Sequence, residues 1–292
     1  MSDKNTVFKP KTTINAGGHL VDFSEPKVMG ILNLTPDSFY QASRVATVET
    51  ALTRAEKMLN EGADILDLGA YSSRPGADDL PPTEEEERLL PVIKAIRNEF
   101  PQAILSIDTF RASVAEASIT AGAHIINDIS GGELDPKMFE TIGRLQVPYI
   151  LMHMRGTPRT MNSLAHYKDI VGELITYFSQ KLALLREQHV HDVILDPGFG
   201  FAKSATHNFT LLHHLEEFKI LGLPILVGLS RKRTIWQTLN ITSEEALNGT
   251  SVLNTIALLK GASILRVHDV KEAAEAVKLV SSVIGAELLS GK

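Results

Sequence analysis

Eight short apolar runs, rich in β-branched residues, recur along the chain. Each run is too short and too uniformly apolar for an amphipathic helix, and such runs are typical of strands buried on both faces of a parallel sheet. The predicted strands are residues 28–34, 64–69, 103–109, 124–130, 148–154, 193–197, 224–230 and 263–269.

Segments with the periodicity of helices lie between these runs. Apolar residues recur at helical spacing in residues 47–60 and 243–260, which predicts one buried face on each helix. Gly62 and Gly261 each precede an apolar run, at the place where a helix would end. Because helix and strand alternate with no Pro/Gly/Ser-rich linker, the pattern predicts a single (β/α)8 TIM barrel, an α/β fold. An open doubly wound sheet is the alternative, since the number of strands does not prove closure.

The segment before the first of these strands predicts a small separate element. Residues 12–27 contain Gly17 and Gly18, a turn sequence, and predict a β-hairpin that plugs the amino-terminal end of the barrel. We therefore interpret residues 1–292 as one domain, with the hairpin at about 12–27 and the barrel at about 28–288.

The composition narrows the class of protein. Of the 292 residues, 43% are hydrophobic and 22% are charged, which is typical of a globular protein. The net charge of −6 argues against a chain that coats nucleic acid or an anionic membrane. The chain has no cysteine, no signal peptide and no apolar run of about 18 residues, so we expect a soluble cytoplasmic protein.

Polar side chains follow almost every predicted strand, at the end where the active sites of (β/α)8 barrels lie. Asp108 and Asp196, with Asn127 between them in strand order, could bind a flat heterocycle that carries amino and lactam N–H groups. Lys232 could reach a carbonyl or ring nitrogen of the same ligand. The two acids and the amide are also good oxygen ligands, so a site for a hard cation is the alternative.

Arg266 and His268 lie two residues apart on the last predicted strand and therefore share one face. Because the last βα positions of a barrel commonly bind phosphate, this pair predicts an anion site. The alternative is that Arg266 pairs with a carboxylate such as Asp67 while His268 caps the next helix. Arg231 and Arg233 either add positive charge to this rim or form a solvated basic loop.

Eight motifs, one at each strand end and in the same order, resemble those of the dihydropteroate synthase family. They are MGILNLTPDSF (29–39), SRPG (73–76), SIDT (106–109), INDISGG (126–132), HMRGTP (153–158), DPGFGF (196–201), GLSRK (228–232) and RVHD (266–269). The resemblance spans about residues 28–277.

The resemblance implies a transferase of folate biosynthesis that joins 6-hydroxymethyl-7,8-dihydropterin diphosphate to 4-aminobenzoate and releases diphosphate. It implies Mg²⁺ held by Asn33, and loops that enclose the aminobenzoate. The implied substrate-binding residues are Thr35, Phe39, Ser73, Arg74, Pro75, Asp108, Asn127, Asp196, Lys232, Arg266 and His268. It also implies a homodimer that forms through the later helices, and competition between sulfonamides and 4-aminobenzoate.

The predicted chemistry is a substitution with strong dissociative character. Arg266, protonated His268 and Mg²⁺ are expected to stabilise the departing diphosphate. Asp108 and Asp196 are expected to stabilise the cation left on the pterin, and Lys232 completes the predicted catalytic set. A pterin-binding methyltransferase and a non-catalytic pterin-binding paralogue are the alternatives, because both would share the acids and the amide.

Overall fold

The computed structural model describes residues 11–34, 44–71 and 80–290. The strands are β1 (Thr13–Ala16), β2 (His19–Asp22), β3 (Lys27–Asn33), β4 (Ile65–Gly69), β5 (Ile104–Asp108), β6 (Ile125–Asp128), β7 (Tyr149–Met152), β8 (Val193–Asp196), β9 (Leu226–Val227) and β10 (Ile264–Val267). The α-helices are α1 (Arg44–Asn60), α2 (Pro82–Glu99), α3 (Ala112–Thr120), α4 (Met138–Leu145), α5 (Ile170–Glu187), α6 (Ala205–His213), α7 (Arg233–Leu239), α8 (Leu247–Leu259) and α9 (Val270–Ser290). Short 3-10 helices cover Met161–Leu164 and Leu215–Leu221.

The eight strands from β3 to β10 form one parallel sheet that closes on itself. Their order is β8-β7-β6-β5-β4-β3-β10-β9, so β8 and β9 lie at the two ends of this list. A parallel bridge between Leu195 and Ile225 joins those ends. The predicted TIM barrel is therefore confirmed, and closure rules out the open doubly wound sheet.

Most strands are shorter than the sequence pattern predicts, and the differences are largest for β9 and for helix α8. Strand β9 has two residues rather than residues 224–230, because the chain leaves the ladder at Gly228 and turns toward the upper end of the barrel. Helix α8 begins at Leu247 rather than at residue 243. The guanidinium of Arg231 takes the carbonyl oxygens of Ser243 and Glu244 as acceptors, at 3.1 and 2.7 Å, and those oxygens are then engaged outside the helix.

The lower interior of the barrel is filled by one aliphatic side chain from each strand. These are Met29, Ile65, Ile104, Ile125, Ile150, Ile194, Leu226 and Ile264. The antiparallel pair β1 and β2 packs Ile14, Ala16 and Val21 against this layer. The predicted hairpin is present, and it covers the amino-terminal end of the barrel, so this end is closed by apolar side chains.

The next interior layer has a different chemistry. Side chains on a strand alternate between its two faces, so the residue two positions further along points inward again. Those positions hold Ile31, Asp67, Ser106, Asn127, Met152, Asp196, Gly228 and Arg266. A layer with polar side chains at five of its eight positions thus lies directly on an apolar floor, at the carboxyl ends of the strands. None of the helices in the three described ranges is long and apolar enough to cross a membrane.

The hairpin gives a stability test with its own matched control. Ile14 is 1% exposed in the plug, whereas Leu20 on the same hairpin is 72% exposed. Ile14→Ala should lower the free energy of unfolding by about 2–5 kcal/mol, because it leaves a cavity between the hairpin and the aliphatic layer. Leu20→Ala should change it by less than about 0.5 kcal/mol. Urea denaturation measures both values, and equal losses would contradict the packing of the hairpin into the barrel.

Candidate active site

The guanidinium of Arg266, on β10, bridges two carboxylates from neighbouring strands. Its Nε donates to Asp67 Oδ2 and its Nη2 to Asp108 Oδ2, each at 2.6 Å. The side chain of Asp67 is fully buried, and that of Asp108 is 22% exposed. The ion pair with Asp67 that was the alternative for Arg266 is therefore present, and Asp108 shares it. Because these bonds use two of the five guanidinium N–H groups, the bridge is compatible with a further bond to an anion.

Asp67 also fixes the orientation of the amide of Asn127. It accepts hydrogen bonds from Ser106 Oγ at 2.6 Å and from Asn127 Nδ2 at 3.0 Å. An ionised carboxylate can only accept, so the nitrogen of the amide must face Asp67. The amide oxygen of Asn127 is then placed as an acceptor for another group. Asp67 thus fixes the positions of both the Asn127 amide and the Arg266 guanidinium.

Asp108 is poised between its two protonation states. Burial raises its pKa to about 7, although the positive charge of Arg266 opposes the shift. The folded protein therefore keeps a proton that the unfolded chain releases between about pH 4 and pH 7. The contribution of Asp108 to stability is consequently lost as the pH rises through that window and is constant above it.

Asp196 lies at the end of β8 and accepts a hydrogen bond from the backbone N–H of Gly198 at 2.7 Å. Burial raises its pKa, and the positive charge of Lys232 opposes this rise. The Nζ of Lys232 donates to the carbonyl oxygen of Phe199 and lies 4.8 Å from the centroid of the Phe201 ring. Burial lowers the pKa of Lys232 to about 8, against the effect of Asp196. The acid and the amine thus form one buried, mutually compensating pair.

His268 lies at the rim and is bound to Ser230. The hydroxyl of Ser230 accepts the backbone N–H of His268 at 3.1 Å and lies 3.0 Å from the ring Nδ1. Desolvation of the ring, followed by the charge of Arg266, lowers the pKa of His268 to about 4. The imidazolium expected from the sequence is therefore not the form that the protein alone favours. A bound anion beside the ring would raise this pKa again.

The two other arginines considered for the rim have different roles. Arg231 donates to both oxygens of Asp269, at 2.9 and 2.8 Å, and so is tied to the start of α9. Arg233 is exposed at the first position of α7. The geometry assigns Arg231 to the framework, and neither arginine is needed for the arrangement of the carboxylates.

An apolar wall lies beside the charged residues at the mouth, since Met152 pairs with Asp196 in the sheet and the Phe201 ring lies against Lys232. It consists of Ile129, Met152, Met154, Met161 and Ala202, with Phe110, Leu134 and Phe201 packed against it. The mouth thus carries charges and amides together with an apolar surface. This combination suits a flat ligand with polar edges and an apolar face.

The described residues contain no group of three or more His, Asp or Glu side chains that could hold a metal ion. Mg²⁺ in phosphate sites is commonly held by one or two protein oxygens together with the phosphates and water. The carboxamide of Asn33, the last residue of β3, fits such a minimal donor set. Its role as a metal ligand stays a prediction.

Five of the predicted site residues, Thr35, Phe39, Ser73, Arg74 and Pro75, lie outside the described residues. The others meet around the upper end of the barrel, as the order of the strands requires. Two residues that hold this arrangement together were not predicted as site residues, namely Asp67 and Lys203. Lys203 is the basic residue in a loop of glycines and aromatic residues directly after Asp196. A single charge in such a loop is the sequence signal that could have predicted its role.

Comparison with known proteins agrees with this geometry. A family model described as pterin binding enzyme matches residues 29–268. The chain is 42% identical over 274 residues to dihydropteroate synthase of Escherichia coli strain K12, covering 93% of this chain and 96% of the relative. A Yersinia pestis dihydropteroate synthase with a sulfonamide drug complex superposes with a TM-score of 0.88 at 39% identity, covering 94% and 99% of the two chains. The Xanthomonas albilineans enzyme with 4-aminobenzoic acid gives a TM-score of 0.87 at 36% identity, covering 93% and 98%.

Replacing Asp67 tests the bridge that organises the mouth. Asp67→Asn should lower the free energy of unfolding by about 3–5 kcal/mol, because Arg266 loses one of its two buried carboxylates. It should also lower the pKa of Asp108, which the charge of Asp67 helps to raise. Urea denaturation and carbon-13 NMR titration of the carboxyl groups measure the two effects. Glu116→Gln, in an exposed pair with Arg144, is the control and should leave both unchanged.

Proposed function

The chain belongs to the dihydropteroate synthases, within the family of pterin-binding enzymes, and from that membership we infer the reaction it catalyses. It joins 6-hydroxymethyl-7,8-dihydropterin diphosphate to 4-aminobenzoate and releases diphosphate. The observation that carries this proposal is the interior layer that holds Asp67, Asn127, Asp196 and Arg266, together with Asp108, which ends β5 and bonds to Arg266. The substrates are small molecules, and we propose a cytoplasmic location for a chain without cysteine.

The acids and the amide suit the polar edge of a pterin. A pterin presents amino and lactam N–H donors on one edge, and Asp108, Asp196 and the oxygen of Asn127 are acceptors. Lys232 supplies a donor for the carbonyl or ring nitrogen, and its electrostatic coupling to Asp196 favours a ligand that bonds to both. The apolar wall would contact the face of the ring.

We assign the diphosphate to the rim above this layer. Arg266 carries donors that its bridge to Asp67 and Asp108 does not use, and His268 lies two residues further along β10. Asn33 would supply one oxygen ligand to a Mg²⁺ ion, whose contribution when bound is to neutralise negative charge on the diphosphate. The anion would raise the pKa of His268, so that the ring becomes a cationic partner only when the substrate is present.

The reaction then follows from position and charge. The bond between the pterin methylene carbon and the diphosphate oxygen breaks, and its electron pair leaves with the diphosphate. Arg266 and His268 stabilise this charge, while Asp196 and ionised Asp108 stabilise the delocalised cation on the pterin. The amine nitrogen of 4-aminobenzoate attacks the carbon and then loses a proton. No covalent enzyme intermediate is required, because the aniline needs only orientation and exclusion of water.

Sulfonamides are a further ligand class for the proposed site. The Yersinia pestis relative forms a sulfonamide drug complex. A sulfonamide that carries an aniline group resembles 4-aminobenzoate in shape and charge. We therefore propose that such compounds compete with 4-aminobenzoate here.

One assay tests the reaction. Purified protein mixed with both substrates and Mg²⁺ should form dihydropteroate and diphosphate in equal amounts, and omission of either substrate should abolish both products. Removal of Mg²⁺ with a chelator should lower the rate, because the diphosphate loses a neutralising cation. Methyl transfer from a methylated pterin, or binding of pterin without release of diphosphate, would identify one of the two alternatives instead.

Two variants separate the two parts of the proposed site in the same preparation. His268→Ala should weaken binding of the pterin diphosphate by about tenfold or more, and binding of 6-hydroxymethylpterin by less than about twofold. Asp196→Asn should weaken both ligands, because it acts on the ring that they share. Equal losses of the two ligands in His268→Ala would refute the role at the diphosphate.

We propose that a second copy of the chain covers the outer face of α8 and α9. The two helices pack side by side, and their outward apolar residues are unusually exposed. These are Val252 and Leu259 on α8, at 50% and 57% exposure, and Leu279 and Val283 on α9, at 68% and 65%. Such a contiguous apolar face is typical of a protein interface, and an isologous contact would pair it with itself.

Light scattering tests this homodimer. The protein should have twice the mass of one chain, and Leu279→Asp should dissociate it because a carboxylate would be buried in the interface. Leu20→Asp, at a site that is 72% exposed on the hairpin, should leave the mass unchanged. A monomeric native protein would refute the interface.

A further inference from the structure

The side chain of Lys203 is held by three acceptors beside the mouth. Lys203 lies between β8 and α6, in the loop of residues 197–204. Its Nζ lies 3.0 Å from Nδ1 of His153, 3.2 Å from the carbonyl oxygen of His153 and 3.0 Å from the carbonyl oxygen of Phe201. Burial lowers the pKa of Lys203 well below its usual value, and the negative charge of Asp196 opposes this. In its charged form the amine has three N–H donors, and these contacts satisfy all of them. The lysine therefore links its own loop to the residue that follows β7.

His153 is suited to be a permanent acceptor in this contact. Its side chain is buried and packs edge-on against Tyr177, with ring centroids 4.8 Å apart. Burial, followed by the charge of Lys203, lowers its pKa to about 2. The ring thus stays neutral wherever the protein is folded at ordinary pH. A charged Lys203 can only donate, so in that state Nδ1 is the acceptor and the proton of the neutral ring is on Nε2.

The backbone near Lys203 lies directly on His153. The N–H of His153 donates to the carbonyl oxygen of Asp196 at 3.1 Å. Gly198 has a φ of +71°, and a Cβ atom there would lie 2.1 Å from the carbonyl oxygen of His153. Only glycine allows this approach. The backbone of the loop therefore packs against the end of β7, and the hydrogen bonds of Lys203 to His153 form a second contact between them.

The same loop holds two of the proposed substrate-binding groups. The N–H of Gly198 donates to Asp196, and the carbonyl oxygen of Phe199 accepts from the Nζ of Lys232. A Cβ atom at Gly200 would lie 3.1 Å from Cδ of Lys232, so the lysine stem rests on the loop backbone. Any movement of the loop would displace the carboxylate and the amine together.

We propose that Lys203 is a positioning residue for the pterin: it clamps the 197–204 loop to His153, and thereby sets the distance and direction of Asp196 and Lys232 toward the bound ring. This inference rests on the proposed function, since it assigns the loop to the recognition of one substrate. Lys203 acts through the loop and through its charge, and it need not contact the pterin.

The charge of Lys203 offers a signature that packing alone lacks. Burial raises the pKa of Asp196, and Lys203 is among the cations that oppose this rise. Removal of the ammonium should therefore raise the pKa of Asp196 further. If the pterin requires ionised Asp196, then as the pH is lowered its binding should be lost at a higher pH in the variant than in the native protein.

The first experiment compares Lys203→Met with the native protein. Methionine keeps an unbranched stem but supplies no charge and no donor. We expect binding of 6-hydroxymethylpterin to weaken about tenfold or more, and the acid limb of its pH profile to move to higher pH. The KM for 4-aminobenzoate should change by less than about twofold. Lys57→Met is the control, because Lys57 pairs with Glu61 at the exposed end of α1, outside this loop, and should leave every value unchanged.

The absence of cysteine from the chain permits a chemical rescue. Lys203→Cys introduces one thiol, and alkylation with 2-bromoethylamine restores an ammonium at nearly the length of lysine. Alkylation with iodoacetamide adds a neutral group of similar bulk. We expect the aminoethylated protein to recover pterin binding and the native pH profile, and the carbamidomethylated protein to recover neither. Modification in denaturant followed by refolding gives access to the thiol, and circular dichroism checks that both products fold.

The outcomes separate this inference from the function on which it rests. If the native protein does not bind the pterin, the proposed function fails. If the native protein binds it and Lys203→Met binds it equally well, only the role of Lys203 fails. Equal rescue by both alkylating agents, or an unchanged pH profile in Lys203→Met, would overturn the positioning role. The side chain of Lys203 would then act only through its volume.

Discussion

The bridge from Arg266 to Asp67 and Asp108 is the constraint on which the mouth of the barrel depends. Two carboxylates from neighbouring strands could not remain charged so close together without a shared cation. The guanidinium supplies it and still has donors directed elsewhere. Asp67 in turn orients Asn127, so one buried cation fixes the position of an acid, an amide and, through them, the acceptor side of the site.

The opposite side of the mouth is organised by a different and weaker set of contacts. Asp196 and Lys232 compensate each other across the loop that follows β8, and the backbone of that loop supplies a donor to one and an acceptor to the other. The strand-based half is fixed by side chains on rigid elements, whereas the loop-based half depends on glycines and on Lys203. Precise recognition of a flat ligand requires both halves to keep their spacing.

The sequence predicts the framework well because the framework follows from local pattern. The alternation of buried strands with amphipathic helices specifies the barrel, and the period of two along each strand brings Asp67, Asn127 and Arg266 into one layer.

What the sequence does not reveal is which of the polar residues bond to one another. The bridge joins residues that are 199 and 158 positions apart, and only closure of the barrel makes them neighbours. The neutral state favoured for His268, the framework role of Arg231 and the clamp at Lys203 likewise depend on distances and burial that no sequence pattern contains. The early end of β9 has the same origin, since the ladder stops where the chain must turn toward the mouth.

The floor of aliphatic side chains beneath the charged layer has an effect of its own. Since the hairpin closes the barrel below it, the charges above can be hydrated from one side only, and the low polarizability of the floor cannot screen them. Their field is consequently directed outward through the opening. An approaching ion meets this potential before it makes any contact, so closure of the lower end of the barrel contributes to selection together with the side chains at the mouth.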